Sequence, residues 1–188
     1  MRRGFKSQAE RIAAETRAEL RLECTQRLVP ARLADHLEIP VFTMSEAAKQ
    51  VQRTSFVRYF SQIDTDSFSA VTVFRGYRRL IVHNENHHPH RQASNLAHEL
   101  SHTLLEHEPG PVSKANGERY WDSEMEEEAT WLAGALLIPR DGALTMARSG
   151  GTIETIAAHY GTSETLCRWR IRQCGVDKQV KRWRAWRR

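Results

Sequence analysis

The chain has 188 residues, of which 40% are hydrophobic and 27% are charged, and its formal net charge is +5. This composition excludes collagen-like, mucin-like and intrinsically disordered proteins, and the length allows one main domain to bury a core without disulfides. The longest apolar stretch, residues 129–138, is too short to span a membrane, and the first residues lack the apolar region of a secretory signal, so we expect a cytoplasmic protein.

Basic residues are concentrated at the two ends of the chain. Residues 1–30 carry 7 basic and 4 acidic side chains, whereas residues 168–188 carry 9 basic side chains and 1 acidic side chain. Trp169, Trp183 and Trp186 are interleaved with the C-terminal basic residues. Two interpretations stay open: a tail that binds nucleic acid by phosphate pairing and base stacking, or a solvated and partly disordered terminus.

The cysteines indicate neither a disulfide framework nor a cysteine-type zinc site. Cys24, Cys167 and Cys174 include no C-x-x-C pair and are odd in number. We expect reduced thiols, with Cys167 and Cys174 buried on one face of a helix.

The first half of the chain predicts helices around a small sheet, because runs of helix-forming residues alternate with short β-rich runs. Arg75-Gly76-Tyr77 separates two such β-rich runs and indicates an antiparallel hairpin. In chain order we expect a helix at Lys6–Leu28 that Pro30 ends, a helix at Ala31–Leu37, an extended segment at Ile39–Thr43, a helix at Met44–Phe60, and strands at Phe68–Phe74 and Arg79–Val82.

The second half predicts mostly helices, with Gly150-Gly151 as the clearest boundary between them. A polar, histidine-rich loop at Asn84–His90 precedes the first of these helices. The expected helices are Arg91–Glu106, Asp122–Ile138, Thr152–Tyr160 and Ser163–Cys174, of which the last two are joined by a short turn and resemble a helix-turn-helix.

The motif His98-Glu99-Leu100-Ser101-His102 is the part of the sequence that indicates chemistry. Two histidines four residues apart on a helix can reach one tetrahedral zinc ion from the same face. Glu99 lies at the neighbouring edge, where it can act as the general base that takes a proton from water at the metal. The apolar residues of this helix form an arc on the opposite side, so the helix has a core side and a cleft side.

A catalytic zinc ion needs a third protein ligand, and the acidic run at residues 124–128 supplies the candidates. On a helical wheel of Asp122–Ile138, Glu126 falls inside the apolar arc, whereas Glu127 and Glu128 fall outside it. A carboxylate on the buried side of a helix needs a partner such as Zn²⁺. We therefore expect Glu126 to be the third ligand, and the other glutamates of the run to form a solvated face or to be N-terminal charges that the helix dipole favours.

Two blocks of the sequence, Arg91–His102 and Glu126–Pro139, resemble the ImmA/IrrE family of metallopeptidases from bacteria, their phages and mobile elements. The second block is similar to the family pattern Glu-x-x-Ala-Asn-x-Phe-Ala followed by Leu-Leu-x-Pro, and the likeness covers about residues 30–175. It implies that His98, His102 and Glu126 bind zinc and that Glu99 is the catalytic acid and base.

Three residues beside these positions depart from the family pattern. Thr130 stands where the family usually has Asn, Leu132 replaces Phe, and Ser101 replaces a frequent Gly. The ligand set itself is intact, so the departures concern the residues that orient the ligands.

We expect an α+β, zincin-like fold in which a small sheet packs against the two ligand-bearing helices, with flanking helices and a C-terminal helix-turn-helix-like segment. The expected domains are a basic N-terminal helix in 1–30, a zinc metallopeptidase core in 31–148, a helical segment packed on the core in 149–175 and a basic tail in 176–188.

The resemblance implies a zinc-dependent endopeptidase that cleaves a helix-turn-helix transcriptional repressor and thereby derepresses mobile-element or stress-response genes. The alternative is a DNA-associated regulator, or a toxin or antitoxin interaction module, whose metal site is structural or vestigial. A peptidase also needs a group that stabilises the oxyanion of the tetrahedral intermediate, and His107 and Tyr120 are the candidates.

Overall fold

The computed structural model describes residues 1–52, 55–64, 67–76, 78–107 and 122–186. The fold is α+β, mostly helical with one small sheet, as the sequence predicts. In chain order the elements are α1 (Phe5–Glu19), α2 (Pro30–His36), β1 (Val41–Thr43), α3 (Met44–Gln50), α4 (Ser55–Arg58), a π-helical turn (Tyr59–Ile63), β2 (Ala70–Arg75), β3 (Arg78–His83), α5 (Pro89–Leu104), α6 (Ser123–Leu137), α7 (Arg140–Arg148), α8 (Ile153–Tyr160), α9 (Glu164–Gln173) and α10 (Val176–Trp186).

Strand β3 is the centre of a three-stranded sheet. Strand β1 runs parallel to it, with Val41 opposite Ile81, and β2 runs antiparallel to it, with Ala70 opposite His83. The predicted hairpin is therefore confirmed, and Gly76 at its turn has a φ of 61°, which glycine adopts without steric strain. Helix α5 packs on β2 and β3, so one face of this helix lies against the sheet.

Helix α6 is the centre of the hydrophobic core. Leu132 and Leu136 pack in one cluster with residues of α1, α2, α5 and the sheet. Ala133 and Leu137 pack in a second cluster with residues of α7, α8, α9 and α10. A helix that is apolar around most of its circumference is buried on most sides, and α6 accordingly joins the two clusters.

Helices α5 and α6 begin at residues suited to helix starts. Pro89 occupies the first turn of α5, where its missing N–H costs no intrahelical hydrogen bond. The side chain of Asp122 caps α6 by accepting hydrogen bonds from the backbone N–H groups of Glu124 at 2.9 Å and Met125 at 3.2 Å. Both helices lie where the sequence predicts them, with bounds that differ by one or two residues.

The N-terminal helix is shorter than the sequence predicts, because α1 already ends at Glu19. The loop that follows, residues 20–29, is held by buried Arg17, which donates hydrogen bonds to the carbonyl oxygens of Glu23 at 2.9 Å and of Gln26. These tertiary contacts outweigh the helix propensity of the segment. Pro30 begins α2 and does not end α1, which corrects the prediction.

The predicted helix at Met44–Phe60 is interrupted. Thr43 starts α3 with a capping box, in which its side chain and that of Glu46 each accept a backbone hydrogen bond. Helix α3 nevertheless ends at Gln50, and Gln52 has a φ of 53°, which no helical residue adopts. Within the rest of the predicted helix, Ser55–Arg58 form α4, and Tyr59 and Phe60 lie in the π-helical turn.

The C-terminal part of the described chain consists of helices. Helices α8 and α9 form at the predicted positions, and Gly161 ends α8 with a φ of 67°. Helix α7 was not predicted. Residues 176–186 form helix α10 instead of a disordered terminus, because Val176 and Val180 are buried beside α7 and α9. The predicted domain boundaries stay predictions. No helix among the described residues is long and apolar enough to cross a membrane.

Candidate metal centre

Helices α5 and α6 pack against each other and bring three side chains to one point. His98 Nε2 lies 3.0 Å from Glu126 Oε2 and 3.1 Å from His102 Nε2, and His102 Nε2 lies 3.6 Å from Glu126 Oε1. Each side chain is between 21% and 27% exposed, so an ion could reach the group from solvent. Within the described part of the chain, this is the group of His, Cys, Asp and Glu side chains that could hold a metal ion.

The three donor atoms fit a tetrahedral metal ion. Atoms bound at about 2.0–2.2 Å to a tetrahedral zinc ion lie about 3.3–3.6 Å from one another. Here the two Nε2 atoms are 3.1 Å apart, His98 Nε2 lies 3.0 Å from Oε2 of Glu126, and His102 Nε2 lies 3.6 Å from Oε1 of the same carboxylate. Two imidazoles and one carboxylate also leave the fourth position open, as in catalytic zinc sites. The structure thus brings together the three residues that the sequence predicts as ligands, while their binding of zinc stays a prediction.

The two histidines stabilise the ionised form of Glu126. Contacts with the His102 and His98 rings hold the pKa of Glu126 well below its ordinary value and outweigh the opposite effect of partial burial. The carboxylate is therefore ionised at neutral pH, and this is the form that binds a metal.

Glu99 neighbours these residues on α5 but does not belong to the group. Its Oε2 accepts a hydrogen bond of 2.6 Å from Thr72 Oγ1 on strand β2. No pattern in the sequence points to Thr72, because only the packing of α5 on the sheet brings this strand residue to Glu99. The strand therefore restrains the carboxylate that the sequence predicts to be the general base.

The second ring nitrogen of each histidine meets a different residue. His98 Nδ1 lies 3.5 Å from Thr130 Oγ1, so the threonine that replaces the family's Asn still offers a polar atom to this ring. His102 Nδ1 lies 2.9 Å from Nδ1 of His107, the third residue beyond the end of α5. Burial lowers the pKa of His107, which favours its neutral form.

Glu128 is buried, and this corrects the prediction that it is solvated. Its side chain is 2% exposed and accepts hydrogen bonds from Arg2 Nε at 2.9 Å, Arg2 Nη2 at 2.8 Å and the Arg2 backbone N–H at 3.2 Å. The helical wheel failed here because it ignores the N-terminal residues that cover this face of α6. Glu124 and Glu127, in contrast, are exposed, as predicted.

A cleft of about 600 Å³ adjoins the candidate metal centre. Its lining combines residues of the centre with aromatic and polar side chains of α1, α5, α6 and α9, among them His98, Glu126, Lys6, Asn95, Trp131 and Trp169. Trp131 and Trp169 meet edge to face with ring centroids 5.8 Å apart, and Lys6 Nζ lies 4.2 Å from the Trp131 ring. The cleft therefore has an aromatic wall and a polar rim.

The two candidates for an oxyanion-stabilising group have different outcomes. His107 is directed toward protein groups, because its ring contacts His102 and its 8% exposed side chain lies 3.6 Å from Glu128 Oε2. It does not line the cleft. Tyr120 lies outside the described residues.

Comparison with known proteins gives one family. The model of Peptidase_M78, the IrrE N-terminal-like domain, matches residues 34–172. That span contains both helices of the candidate metal centre and ends within α9, before α10. No curated protein matches the chain significantly. Because the matched span covers well over half of the chain, this protein belongs to the peptidase family of IrrE N-terminal-like domains.

Proposed function

We propose that this chain is a zinc-dependent endopeptidase. The observation that carries the proposal is the convergence of His98, His102 and Glu126 on one point beside Glu99, in a chain of a peptidase family. A regulator or interaction module with a structural or vestigial metal site is less favoured, because structural zinc sites use four protein ligands and the described residues supply three.

In this proposal His98, His102 and Glu126 hold the metal. A bound zinc ion supplies Lewis acidity, which lowers the pKa of water and polarises a carbonyl group. Glu99 accepts the proton of the attacking water and passes it to the leaving amine. The hydrogen bond of 2.6 Å from Thr72 keeps the Glu99 carboxylate in one orientation for both transfers.

The substrate peptide lies in the cleft beside the ligands. The edge-to-face pair of Trp131 and Trp169 offers an apolar wall, and Lys6 and Asn95 offer polar groups at the same opening. A cleft of about 600 Å³ is large enough for several side chains of an extended peptide.

As the natural substrate we propose a helix-turn-helix repressor, whose cleavage in the cytoplasm derepresses mobile-element or stress-response genes. The support is the resemblance of the two sequence blocks to ImmA/IrrE metallopeptidases and the family match over residues 34–172. The same proposal includes a zincin-like arrangement of the sheet with α5 and α6, and a helix-turn-helix-like pair formed by α8 and α9.

The substitution Glu99→Gln tests the catalytic role. An amide cannot accept the proton of the attacking water, so peptide hydrolysis should fall by about two orders of magnitude or more, while zinc content stays unchanged. The control is Glu164→Gln, an exposed glutamate on α9. Zinc content and cleavage of a co-encoded repressor should be measured on the same preparations.

Two results would contradict the peptidase proposal. One is full cleavage by the Glu99→Gln variant. The other is full loss of repressor function in cells that carry this variant, because binding without proteolysis would then perform the function. Retained zinc with lost cleavage supports the proposal.

A separate proposal concerns α10: we propose that its basic surface binds nucleic acid. Lys178, Lys181, Arg182 and Arg184 are exposed and form no ion pair with another described residue, and Trp186 is 84% exposed. Unpaired cations beside an exposed indole suit phosphate groups and stacked bases.

The variant Lys178→Glu, Lys181→Glu, Arg182→Glu tests the surface, because it reverses three charges without altering the buried valines of α10. Affinity for a short fluorescent DNA should fall, and the dependence of binding on salt should become weaker by about three phosphate contacts. The matched control reverses three exposed charges elsewhere, at Arg32, Lys49 and Arg148. No binding by the wild type at low salt, or an equal loss in the control, contradicts the proposal.

A further inference from the structure

We infer that His107 and Glu128 form a support that orients the metal ligand His102. Neither residue is a ligand, and Glu128 lies two positions beyond Glu126 on α6. The inference rests on the proposed metal site, and it adds residues whose role is to position a ligand.

The end of α5 places His107 beside His102. Glu106 has a φ of 53°, and this left-handed residue turns the chain back after the helix. The backbone N–H of His107 then donates a hydrogen bond of 3.0 Å to the carbonyl oxygen of His102. Such a turn is a common way to end a helix, although glycine usually takes the left-handed position. Its effect here is to bring the two imidazole rings together, with centroids 5.0 Å apart.

The two nitrogens of His102 face different surroundings. Nε2 faces His98 and Glu126, where the metal would be held. Nδ1 faces His107 Nδ1 at 2.9 Å, which is hydrogen-bond distance. A neutral imidazole has one N–H and one lone pair, so His102 can offer its Nε2 lone pair to a metal only if the proton is on Nδ1. His107 Nδ1 must then be the acceptor.

Glu128 selects this arrangement of protons. If His107 accepts at Nδ1, its own proton is on Nε2, which is buried and has no other polar partner among the described residues. That N–H faces the Glu128 carboxylate at 3.6 Å, an attractive contact. In the reverse arrangement, the lone pair of His107 Nε2 would face the negative charge of Glu128, and His102 would carry its proton on Nε2 and could not bind a metal there. The carboxylate therefore favours the tautomer of His107 that leaves His102 ready to bind a metal.

Arg2 fixes the position of Glu128. Its guanidinium binds both carboxylate oxygens, at 2.9 and 2.8 Å, and its backbone N–H binds one of them. A bidentate pair of this kind restricts both position and orientation. The support thus runs from Arg2 through Glu128 and His107 to His102, and it joins the N-terminal segment to the candidate metal centre.

Zinc affinity measured by competition with a chelating dye tests the inference. His107→Leu should weaken zinc binding about 10- to 100-fold, the range typical for loss of a residue that orients a ligand. His107→Gln should weaken it less, because the glutamine carbonyl can accept from His102 and its amide can donate to Glu128. Glu128→Gln, which removes the charge and keeps the shape, should fall between the wild type and His107→Leu. The control is His36→Leu, a surface histidine that contacts Glu19.

Two further measurements separate positioning from a general loss of structure. The unfolding temperature of the metal-free His107→Leu variant should stay close to that of the wild type, while the increase in that temperature on adding zinc should become smaller. Nitrogen-15 NMR of the imidazoles should show His102 bound to zinc through Nε2 with a proton on Nδ1 in the wild type. In His107→Leu the Nδ1 proton should lose its hydrogen-bond signature.

The outcomes distinguish this inference from the proposed function. Zinc affinity within twofold of the wild type in a folded His107→Leu variant overturns the support, and leaves the peptidase proposal intact. Equal losses in His107→Gln and His107→Leu overturn the assigned hydrogen-bond pattern. A wild-type chain that binds no zinc defeats the proposed function. The NMR signature of the His102 and His107 pair in the metal-free protein then decides the support by itself.

Discussion

The two ends of α6 meet their surroundings in different ways. At the C-terminal end, Arg17 Nη1 donates to the carbonyl oxygen of Leu136 at 2.9 Å, and Arg170 Nε donates to that of Ile138 at 3.0 Å. The last carbonyl groups of a helix have no partner within the helix. Arg170 also binds both carboxylate oxygens of Glu10 through Nη2, at 2.6 and 2.7 Å. At this end, the buried cations are matched by protein acceptors.

At the N-terminal end of α6, the carboxylates face two different situations. Glu128 is matched by Arg2, as the arginines are matched at the other end. Glu126 instead faces the Nε2 atoms of His98 and His102. When both Nε2 lone pairs are directed inward, each imidazole faces one oxygen of Glu126, at 3.0 Å for His98 and 3.6 Å for His102, and the two Nε2 atoms lie 3.1 Å apart. Such atoms repel one another unless a proton or a cation lies between them.

The comparison shows that burial of a charge does not by itself identify a functional site. Arg170 is completely buried and Arg17 is 2% exposed, yet both satisfy carbonyl groups and serve the fold. The group around Glu126 is more exposed, but its three side chains all offer atoms with lone pairs, and these atoms face one point. Convergence of several atoms with lone pairs on one point is therefore the feature that indicates a metal site. Substitutions at each end of α6 test this distinction.

The largest effect is expected for Glu126→Gln. Replacing one of three ligands by a neutral amide should weaken zinc binding about 10³-fold, or about 4 kcal/mol, because the amide lacks the charge that attracts the ion. Metal content after dialysis and competition with a chelator measure the loss. The control is Glu124→Gln, an exposed glutamate of the same helix, which should bind zinc as the wild type does. Equal losses in the two variants would show that Glu126 is not a ligand.

Arg170→Leu should have the opposite pattern, with a large effect on stability and none on the metal. The substitution leaves the Ile138 carbonyl and the partly buried Glu10 carboxylate without their partner, and the loss of these contacts of a buried arginine costs about 3 kcal/mol. Urea unfolding measures the cost, and zinc affinity should stay within about twofold. Arg172→Leu, an exposed position on the same helix, should change the free energy of unfolding by less than about 0.5 kcal/mol. A loss of zinc in Arg170→Leu would mean that the two ends of α6 are coupled.

The sequence predicted the elements whose pattern is local. Helices α5 and α6 have strong apolar periodicity and clear start signals, and the hairpin of β2 and β3 has a glycine at its turn, so all three were found. The end of α1 was missed because it depends on Arg17, whose hydrogen bonds reach residues of the loop 20–29. The helical tail was missed because its stability comes from Val176 and Val180 packing on other helices.

The same distinction holds for the candidate site. The spacing of His98 and His102 on one helix, and the position of Glu126 on the wheel, depend only on helix geometry, and the structure brings these residues together. Thr72 and His107 carry no such signal, because a strand and a left-handed turn bring them to the ligands. Glu128 was predicted to be exposed for the same reason, because Arg2, which covers it, is distant in the sequence.

Gly142→Ala tests how closely the loop 20–29 packs at the C-terminal end of α6. A Cβ atom at Gly142 would lie less than 3.0 Å from the Cys24 carbonyl oxygen and from the Tyr160 hydroxyl. In an open helix position the substitution would stabilise the protein, because alanine is the better helix former. Here the steric conflict should reverse that sign and cost about 1–2 kcal/mol of unfolding free energy. The control is Arg148→Ala, exposed on the same helix, and a stabilised Gly142→Ala variant would show that the loop is not packed as described.

The smallest effect is expected at Tyr160, whose hydroxyl donates a hydrogen bond of 2.9 Å to the Cys24 carbonyl oxygen in the same loop. Burial raises the pKa of Tyr160 to about 12, from an ordinary value of 10.0. The folded state therefore favours the protonated phenol, so its contribution to stability is complete below pH 10 and is lost as the pH rises from about 10 to about 12.

Near neutral pH, Tyr160→Phe should lower the free energy of unfolding by about 1 kcal/mol, the net worth of one hydrogen bond. Above about pH 11 the difference between the two proteins should vanish or reverse, whereas zinc affinity near neutral pH should be equal in both. Tyr59→Phe, at a 46% exposed position, is the control and should match the wild type near neutral pH. A difference between wild type and Tyr160→Phe that stays constant up to pH 12 would show that the Tyr160 phenol is not held protonated against the loop.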